Sequence, residues 1–262
     1  MKRLIATASA IFVLTSAASA FSLNVDPSSL FLSAGQGESV SGQIIVENKG
    51  NQEITVRAYA EDWTFLPDRS KSFRKPGSVQ NSCSKWITVH PDEFKLAAGE
   101  AKKVNYTLSA PQDAIGGYYS VIFFETQQND PDLLKTANVI IAGRIGTIVY
   151  FDAKGNSEKK MSIESFKVSK SVPGKPMYFK LGVKNEGNSY VAPSGNIVIV
   201  DDLANLQARI DIQKKYVLQG ESLVLQEKWI STLPAGEYDV IATLDYGGEA
   251  PVSLKSRITV GK

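Results

Sequence analysis

The sequence predicts an all-β protein made of two tandem immunoglobulin-like β-sandwich domains. Short runs rich in β-branched and aromatic residues recur along the chain, and Gly, Pro, Asn and Asp separate them. Many short strands at the spacing of turns are typical of antiparallel sandwiches. The chain of 262 residues also exceeds a usual domain of about 100–150 residues. A corner motif that occurs twice then indicates two copies of one kind of domain.

The first 20 residues are expected to be a cleaved secretory signal. Lys2 and Arg3 form a basic start, residues 4–18 are mostly apolar, and residues 18–20 read A-S-A, which fits an A-x-A cleavage site. A membrane anchor is disfavoured, because a spanning helix needs about 20 apolar residues and Ser and Thr interrupt this run. We therefore expect export to the periplasm, with the cell surface as the alternative.

Signal removal leaves a mature chain without net charge. It takes two of the 29 Lys and Arg residues and none of the 27 Asp and Glu residues, so 27 cations remain against 27 anions. A neutral chain has no general attraction for nucleic acid or for an anionic membrane. Neither is expected as a partner, and no later apolar run is long enough to span a bilayer.

The corner V-x-N-x-G-N occurs at residues 46–51 and again at residues 183–188. In such a corner Asn can bond nearby backbone, and Gly can open the turn. Related turns of the form L-x-x-G-E or L-x-G-E lead into strands at residues 96–100 and 218–221. We interpret each V-x-N-x-G-N corner as closing an early strand of its own sandwich.

A polar stretch at residues 152–157 separates the two predicted domains. We place the first at residues 21–153 and the second at residues 158–262, each near the size of an immunoglobulin-like unit. Strand patterns then predict which side chains fill the two cores. The candidates are Ile45, Val56, Trp86, Val104, Tyr119, Ile122 and Phe124 in the first core, and Leu181, Val183, Val198, Leu225 and Tyr238 in the second.

One predicted strand, Ala137–Phe151, is apolar on both faces. A sandwich strand usually alternates, because one face meets the core and the other meets water. Its fifteen residues also exceed an ordinary strand of about 3–10 residues. Gly143 and Gly146 are therefore predicted to mark a bulge or a kink. The second face needs a cover, which could be a partner protein or the second domain.

No catalytic residue, cofactor or metal site is predicted. His90 is the only histidine, so a Ser-His-Asp triad or a histidine metal site has at most one candidate. The carboxylates at residues 130–132 and 201–202 lack the spacing of a calcium loop and indicate polar turns. Cys83 has no second cysteine to pair with, and we predict that it is a small buried core residue. The protein is expected not to be an enzyme.

The order of these features resembles the periplasmic chaperones of pilus assembly. An exported signal is followed by P-S-S-L-F-L at residues 27–32 and by the first V-x-N strand. L-x-x-G and Pro111 come next, before G-G-Y-Y-S-V-I-F-F-E at residues 116–125 and the long two-faced strand. The resemblance covers chiefly residues 21–153. It implies two immunoglobulin-like domains set at an angle, the last strand of the first pairing with an unfinished pilus subunit.

The chain departs from that family at its basic positions. The family holds the client's terminal carboxylate with one basic residue on the first strand and another on the last. The first position falls here on Ser29 and the second near Gly146, which leaves Arg144 as the nearest replacement. The strand also ends in T-I-V-Y-F-D, at residues 147–152, in place of the family's K-L-F-Y-R-P. These departures indicate a divergent member.

The predicted function is chaperone-like binding of exported, pilin-like subunits by β-strand addition along the last strand of the first domain. The alternative is a non-catalytic envelope scaffold or adhesion spacer, in which the second domain covers the second face of that strand. The residues predicted to bind the partner are Val139, Ile140, Ile141, Arg144, Ile145, Ile148 and Tyr150.

Overall fold

The computed structural model describes residues 22–127, 143–172 and 174–261. Within them the chain forms antiparallel β-sheets, one of which also contains a parallel pair of strands, and one short 3₁₀ turn, Ser84–Trp86. The strands are β1 (Leu23–Asp26), β2 (Ser29–Ala34), β3 (Ser39–Asn48), β4 (Ile54–Phe65), β5 (Lys71–Arg74), β6 (Ile87–His90), β7 (Glu93–Leu96), β8 (Ala101–Ser109), β9 (Gly117–Gln127), β10 (Arg144–Ala153), β11 (Met161–Val168), β12 (Pro176–Asn185), β13 (Ser194–Asp201), β14 (Leu206–Ile212), β15 (Ser222–Ile230), β16 (Gly236–Asp245) and β17 (Val252–Val260).

Strands β1 to β10 form the first sandwich. One sheet has the strand order β1-β3-β8-β6, and the other has the order β2-β10-β9-β4-β5 with β7 paired to β4. Strand β10 is antiparallel to β9 but parallel to β2. The last strand of this sandwich therefore lies between a late strand and an early one.

Strands β11 to β17 form the second sandwich, from a sheet of order β11-β12-β15 and a sheet of order β14-β13-β16-β17. The predicted all-β class with two tandem sandwiches is confirmed. The predicted linker falls between β10 and β11, where Gly155 adopts a positive φ of 80°. That conformation is accessible to glycine at little steric cost.

Each sandwich encloses its own apolar core between its two sheets. Strand β8 shows the pattern, because Val104, Tyr106 and Leu108 are buried while the residues between them face outward. Burying a large apolar side chain contributes about 1.5–3 kcal/mol. Of the candidates for the two cores, those found buried in them are Val56, Val104, Ile122, Phe124, Leu181, Val183, Leu225 and Tyr238, with Trp86 packed at the margin.

Three predicted core positions are wrong. Ile45 is 40% exposed, whereas its neighbours Ile44 and Val46 are fully buried. Val198 is likewise half-buried between two buried isoleucines of β13. Successive side chains of a strand point to opposite faces, so an error of one residue in phase exchanges core and surface. The third, Tyr119, is buried but lies outside both cores.

The first V-x-N-x-G-N corner is organised by the buried side chain of Asn48. Its amide group donates to the carbonyl oxygens of Gln52, Leu96 and Ala97 at 2.7, 3.2 and 3.0 Å. Its side-chain oxygen accepts from the N–H of Gly50 at 2.9 Å. One side chain thus ties the corner after β3 to the turn before β8.

The second corner repeats this arrangement with Asn185. Its amide group donates to the carbonyl oxygens of Ser189 and Val217 at 2.8 and 3.0 Å. Its side-chain oxygen accepts from the N–H of Gly187 at 3.0 Å. The corner after β12 is therefore tied to the turn before β15, as the interpretation of the motif as a strand-closing corner predicted.

Candidate partner-binding edge and the joint between the sandwiches

The predicted long strand corresponds to β10, Arg144–Ala153. Val139, Ile140 and Ile141, which are predicted to bind the partner, lie outside the described residues. The pairing of β10 with β9 runs without interruption from Arg144 opposite Glu125 to Asp152 opposite Gly117. The predicted bulge or kink at Gly146 is therefore wrong.

Packing explains this glycine. Gly146 pairs with Phe123 in regular register. A Cβ atom at this position would lie 2.6 Å from Cγ2 of Val121 and 3.0 Å from Cε1 of Phe123. Side chains of β9 occupy the space that a larger residue would need.

The inner face of β10 belongs to the first core. Val149 and Phe151 are fully buried there, and Ile145 packs at the margin of the same core. Thr147, also buried, donates its hydroxyl to the carbonyl oxygen of Pro27 at 2.9 Å. This face holds the strand in its own sandwich.

The outer face of β10 is covered in part by the second sandwich. Tyr150 is 3% exposed, and its ring centroid lies 4.8 Å from those of both Tyr190 and Tyr216. Burial raises the pKa of Tyr150 above its usual range. Tyr150 therefore contributes to the joint between the sandwiches, and its side chain is not accessible to a partner in this arrangement.

An aromatic cluster continues this contact. Its buried members are Trp63, Tyr119, Val121, Phe123, Tyr150, Tyr190 and Leu218, and Ile148 packs against them. The last two buried members belong to the second sandwich. The second face of β10 thus has the interdomain cover that the scaffold alternative requires at Ile148 and Tyr150.

Backbone contacts complete the joint around the second corner. The N–H of Gly117 donates to the carbonyl oxygen of Asn188 at 2.8 Å. The Nε2 atom of Gln219 donates a hydrogen bond to the carbonyl oxygen of Gly117 at 2.9 Å. Ser189 donates its hydroxyl to the carboxylate of Asp152. The sequence indicates the second domain as a possible cover for this strand but does not identify these contacts, because none of these residue types signals a contact over such sequence distances.

Arg144 lies at the start of β10 with its side chain partly exposed. Its Nη1 atom donates to Glu61 Oε2 at 3.1 Å and to the Tyr59 hydroxyl at 3.3 Å. The guanidinium carbon also lies 4.1 Å from the ring centroid of Phe123. The hydrogen bond with Tyr59 and the charge of Glu61 raise the pKa of Arg144. Exposed ion pairs contribute only about 0–1 kcal/mol, so this pairing is readily exchanged.

The basic positions of the resembled family carry no cation here. Ser29 lies beside Ile148 in the parallel register, and Gly146 has no side chain. Arg144, the nearest cation on β10, is paired with Glu61. The geometry offers no pair of free basic residues to hold a terminal carboxylate at these positions.

The first half of β10 has an open edge. Strand β2 pairs with β10 only from Ile148 onward, where the N–H of Ile148 donates to the carbonyl oxygen of Ser28 at 3.0 Å. Backbone groups alternate between the two sides of a strand, so those of Arg144 and Gly146 point away from β9. Among the described residues no strand pairs with them. We call Arg144–Thr147, on this side, the open edge.

A groove of about 300 Å³ adjoins the open edge. It lies between β1, which belongs to one sheet of the first sandwich, and the start of β10, which belongs to the other sheet. Its walls are formed by Ser22, Leu23, Thr126, Gly143, Arg144 and Ile145.

The described residues hold no group of three or more His, Cys, Asp or Glu side chains that could bind a metal ion. Cys83 is buried as predicted, and burial raises the pKa of its thiol to about 12. His90 is exposed at the end of β6. Over the same residues, no helix has the length and apolar character to cross a membrane.

No protein-family model matches the chain, and no curated protein matches it. It is similar to a solved structure of a chaperone–tip adhesin complex of CFA/I fimbriae biogenesis, at 14% identity over 90% of this chain and 98% of that one, with a TM-score of 0.48. It is also similar to a Salmonella enterica complex of SafA pilin with the SafB chaperone, at 14% identity over 93% and 99% of the two chains, with a TM-score of 0.44. A third similar structure is the Acinetobacter baumannii CsuC–CsuE chaperone–tip adhesion subunit complex of archaic chaperone-usher Csu pili, at 13% identity over 89% and 97%, with a TM-score of 0.44.

Proposed function

We propose that this protein is a chaperone-like protein of the periplasm that binds exported, pilin-like subunits by strand addition at the open edge of β10. The observation that carries the proposal is the backbone of Arg144 and Gly146, which pairs with no strand among the described residues on the side away from β9 and lies beside a groove. An added strand gains main-chain hydrogen bonds, which supply affinity, while pockets for its alternate side chains supply specificity. Ile145 and Leu23 offer the apolar walls for such side chains.

Binding is proposed to require little rearrangement of the chaperone itself. Arg144 is the one cation among the described residues that line the groove, and its exposed pairing with Glu61 can be exchanged for a carboxylate or a backbone carbonyl of the client. The segment before β10, with Val139, Ile140 and Ile141, remains a predicted extension of the same partner surface.

A proline substitution at the open edge tests strand addition. Arg144→Pro removes an N–H that points away from β9, and proline is tolerated at the first residue of a strand. The matched control Arg144→Ala removes the side chain and keeps the N–H. The assay is co-expression with a pilin-like subunit chosen as a test client, followed by quantitative co-purification from the periplasm.

We expect Arg144→Pro to reduce subunit recovery about tenfold, the equivalent of about 1.4 kcal/mol, and Arg144→Ala to reduce it much less. Thermal melting of both variants has to match that of the parent protein. Equal recovery with Arg144→Pro and the parent would contradict strand addition at this edge.

The second candidate function is a rigid two-sandwich spacer. It is favoured by the aromatic cluster, in which Tyr190 and Leu218 cover the outer face that the long strand was predicted to offer to a partner. A spacer needs a fixed joint and no client. Subunit recovery that is absent with the parent protein, together with a fixed interdomain distance, would favour this alternative.

We infer that either function operates by binding and not by catalysis, because Cys83 is buried and His90 stands apart on an exposed strand end. Loss of biological activity in His90→Ala with an unchanged melting curve would overturn this inference.

A further inference from the structure

A second opening lies between the two sandwiches, and its lining shares no residue with the groove at the open edge of β10. We call it the cleft, and its volume is about 480 Å³. The first sandwich contributes Phe65, Arg69 and Lys71 from the β4–β5 hairpin, and the second contributes residues 213–216 and 223–227. The cleft thus has one wall from each sandwich.

One wall of the cleft is the edge strand of a sheet. Strand β15 is the last strand of its sheet and pairs only with β12, from Ser222 opposite Lys184 to Ile230 opposite Pro176. Residues 223–227, which line the cleft, therefore have backbone N–H and C=O groups on their second side that no described strand satisfies. Unpaired edges of this kind are templates for another extended chain.

The cleft carries an excess of positive charge. Its cations are Arg69, Lys71, Lys214 and Lys215, and Glu227 is the one acidic residue in its lining. Arg69 is paired with Glu221 at 2.8 Å. The three lysines form no ion pair within the described residues, although the mature chain as a whole is predicted to be neutral.

Aromatic rings complete the lining. The guanidinium carbon of Arg69 lies 3.7 Å from the ring centroid of Phe65, and its Nη2 atom donates to the carbonyl oxygen of Tyr216 at 2.5 Å. These contacts hold the hairpin against the second sandwich beside the strand edge. Among the described residues, the cleft therefore combines fixed walls, a strand edge without a partner strand, and three lysines without an ion pair, of which Lys71 lies near the rings of Trp63 and Phe65.

We propose that the cleft binds an extended, acidic segment of a partner protein, which adds to β15 as a further strand. The edge supplies backbone hydrogen bonds, and Lys71, Lys214 and Lys215 attract the acidic side chains. This site is separate from the open edge of β10 and does not depend on the function proposed for that edge. Lysines that merely protect an edge from aggregation would bind no such segment.

Short fluorescein-labelled peptides test the proposal by fluorescence anisotropy at low salt. The probe alternates Asp and Val, and its uncharged counterpart alternates Asn and Val. A third peptide keeps the acidic sequence but carries N-methyl groups on alternate backbone nitrogens, which removes the donors for strand pairing. The acidic peptide is expected to bind. The affinity of each of the other two peptides is expected to be lower by about tenfold or more.

Charge reversal in the protein locates the binding. Lys214→Glu/Lys215→Glu should weaken binding of the acidic peptide by about tenfold or more. The matched control Lys167→Glu/Lys170→Glu reverses two exposed lysines at and just beyond β11, the far edge of the same sheet, and should leave binding unchanged. Arg144→Pro should also leave it unchanged, which separates this site from the edge of β10.

Several results would overturn the proposal. They are equal binding of the acidic and the N-methylated peptides, equal effects of the two charge reversals, or no peptide binding by a folded parent protein. Analytical sedimentation tests whether a second copy of this chain occupies the cleft. A dimer of the parent protein that Lys214→Glu/Lys215→Glu dissociates would show that a second copy of this chain fills the cleft instead.

Discussion

The two V-x-N-x-G-N corners make nearly the same internal hydrogen bonds, but only the second one helps to join the sandwiches. Asn48 and Asn185 occupy equivalent positions, and the side chain of each binds its own corner and the turn before a later strand. The final Asn differs. Asn51 is exposed with no hydrogen-bond partner among the described residues, whereas Asn188 contacts the first sandwich through its backbone.

The side chain of Asn188 extends this difference. Its oxygen accepts from the N–H of Glu158 at 2.6 Å, and its amide group donates to the carbonyl oxygen of Asn156 at 3.2 Å. The same residue type at the same motif position therefore bonds the linker in one copy and faces water in the other. The motif therefore determines the internal hydrogen bonds of the corner, whereas the neighbouring chain determines whether the final Asn also contacts another part of the protein.

The largest expected effect comes from removing the central asparagine of either corner. Asn48→Ala and Asn185→Ala each leave several buried backbone groups without a partner, at a cost of about 1–3 kcal/mol per group. Each variant should lower the free energy of unfolding of its own sandwich. Trp63 and Trp86 report on the first sandwich in chemical denaturation, and Trp229 reports on the second.

Asn51→Ala is the control for this experiment, because that side chain is exposed. Its effect should stay within about 0.5 kcal/mol, as for ordinary surface substitutions. If Asn48→Ala were as mild as Asn51→Ala, the equivalence of the two corners would fail.

A smaller effect is expected from Gly116→Ala, which attacks the joint and not the corner. Gly116 has a φ of 82°, and a Cβ atom there would collide with the carbonyl oxygen of Asn188. A non-glycine residue at this positive φ is strained by about 1–3 kcal/mol. The collision with Asn188 adds to this cost and should be relieved when the two sandwiches move apart. Small-angle scattering should show a larger radius of gyration, with each sandwich still folded.

Gly99→Ala is the matched control, because Gly99 also has a positive φ, 75°, but no atom within 4 Å of the added Cβ. It should cost stability in the first sandwich without changing the scattering profile. Equal scattering for the two variants would show that the contact between Gly116 and Asn188 does not hold the joint.

The smallest expected effect is a loss of stability at low pH, which should differ between the two sandwiches. Asp62 is buried in the first sandwich, and desolvation raises the pKa of its carboxyl group. Hydrogen bonds from Ser82, Ser84 and Val79 outweigh this effect, so the pKa of Asp62 is lowered. A lowered folded-state pKa stabilises the fold above the unfolded-state value of about 3.9. That stabilisation is lost as the pH falls through the folded-state pKa.

We therefore expect acidification below about pH 4 to destabilise the first sandwich, and Asp62→Asn to remove part of this dependence. Denaturation curves at a series of pH values, read with the tryptophans of each sandwich, measure it. An unchanged pH dependence in Asp62→Asn would exclude this carboxylate as its source.

Local patterns explain why much of the fold was predictable. Alternation in strands such as β8 and the turn chemistry of the two corner motifs depend on residues close in sequence, so the all-β class follows from them. The buried role of Cys83 follows from its residue type, because a free cysteine is usually buried. The phase of Ile45 was not predictable, because the run Ile44-Ile45-Val46 is apolar throughout. Only the pairing with β8 decides which of these side chains faces the core.

The apolar residues near residue 150 occupy both parities of their strand, so the sequence alone predicts a two-faced strand that needs a second cover. What covers each part of this strand depends on contacts between residues that are distant in sequence. Tyr150 packs against Tyr190 and Tyr216 of the second sandwich, while no strand in the described part of the chain pairs with the outer backbone groups of Arg144 and Gly146. The physical reason is that hydrophobicity specifies that a side chain is buried but not which distant surface buries it.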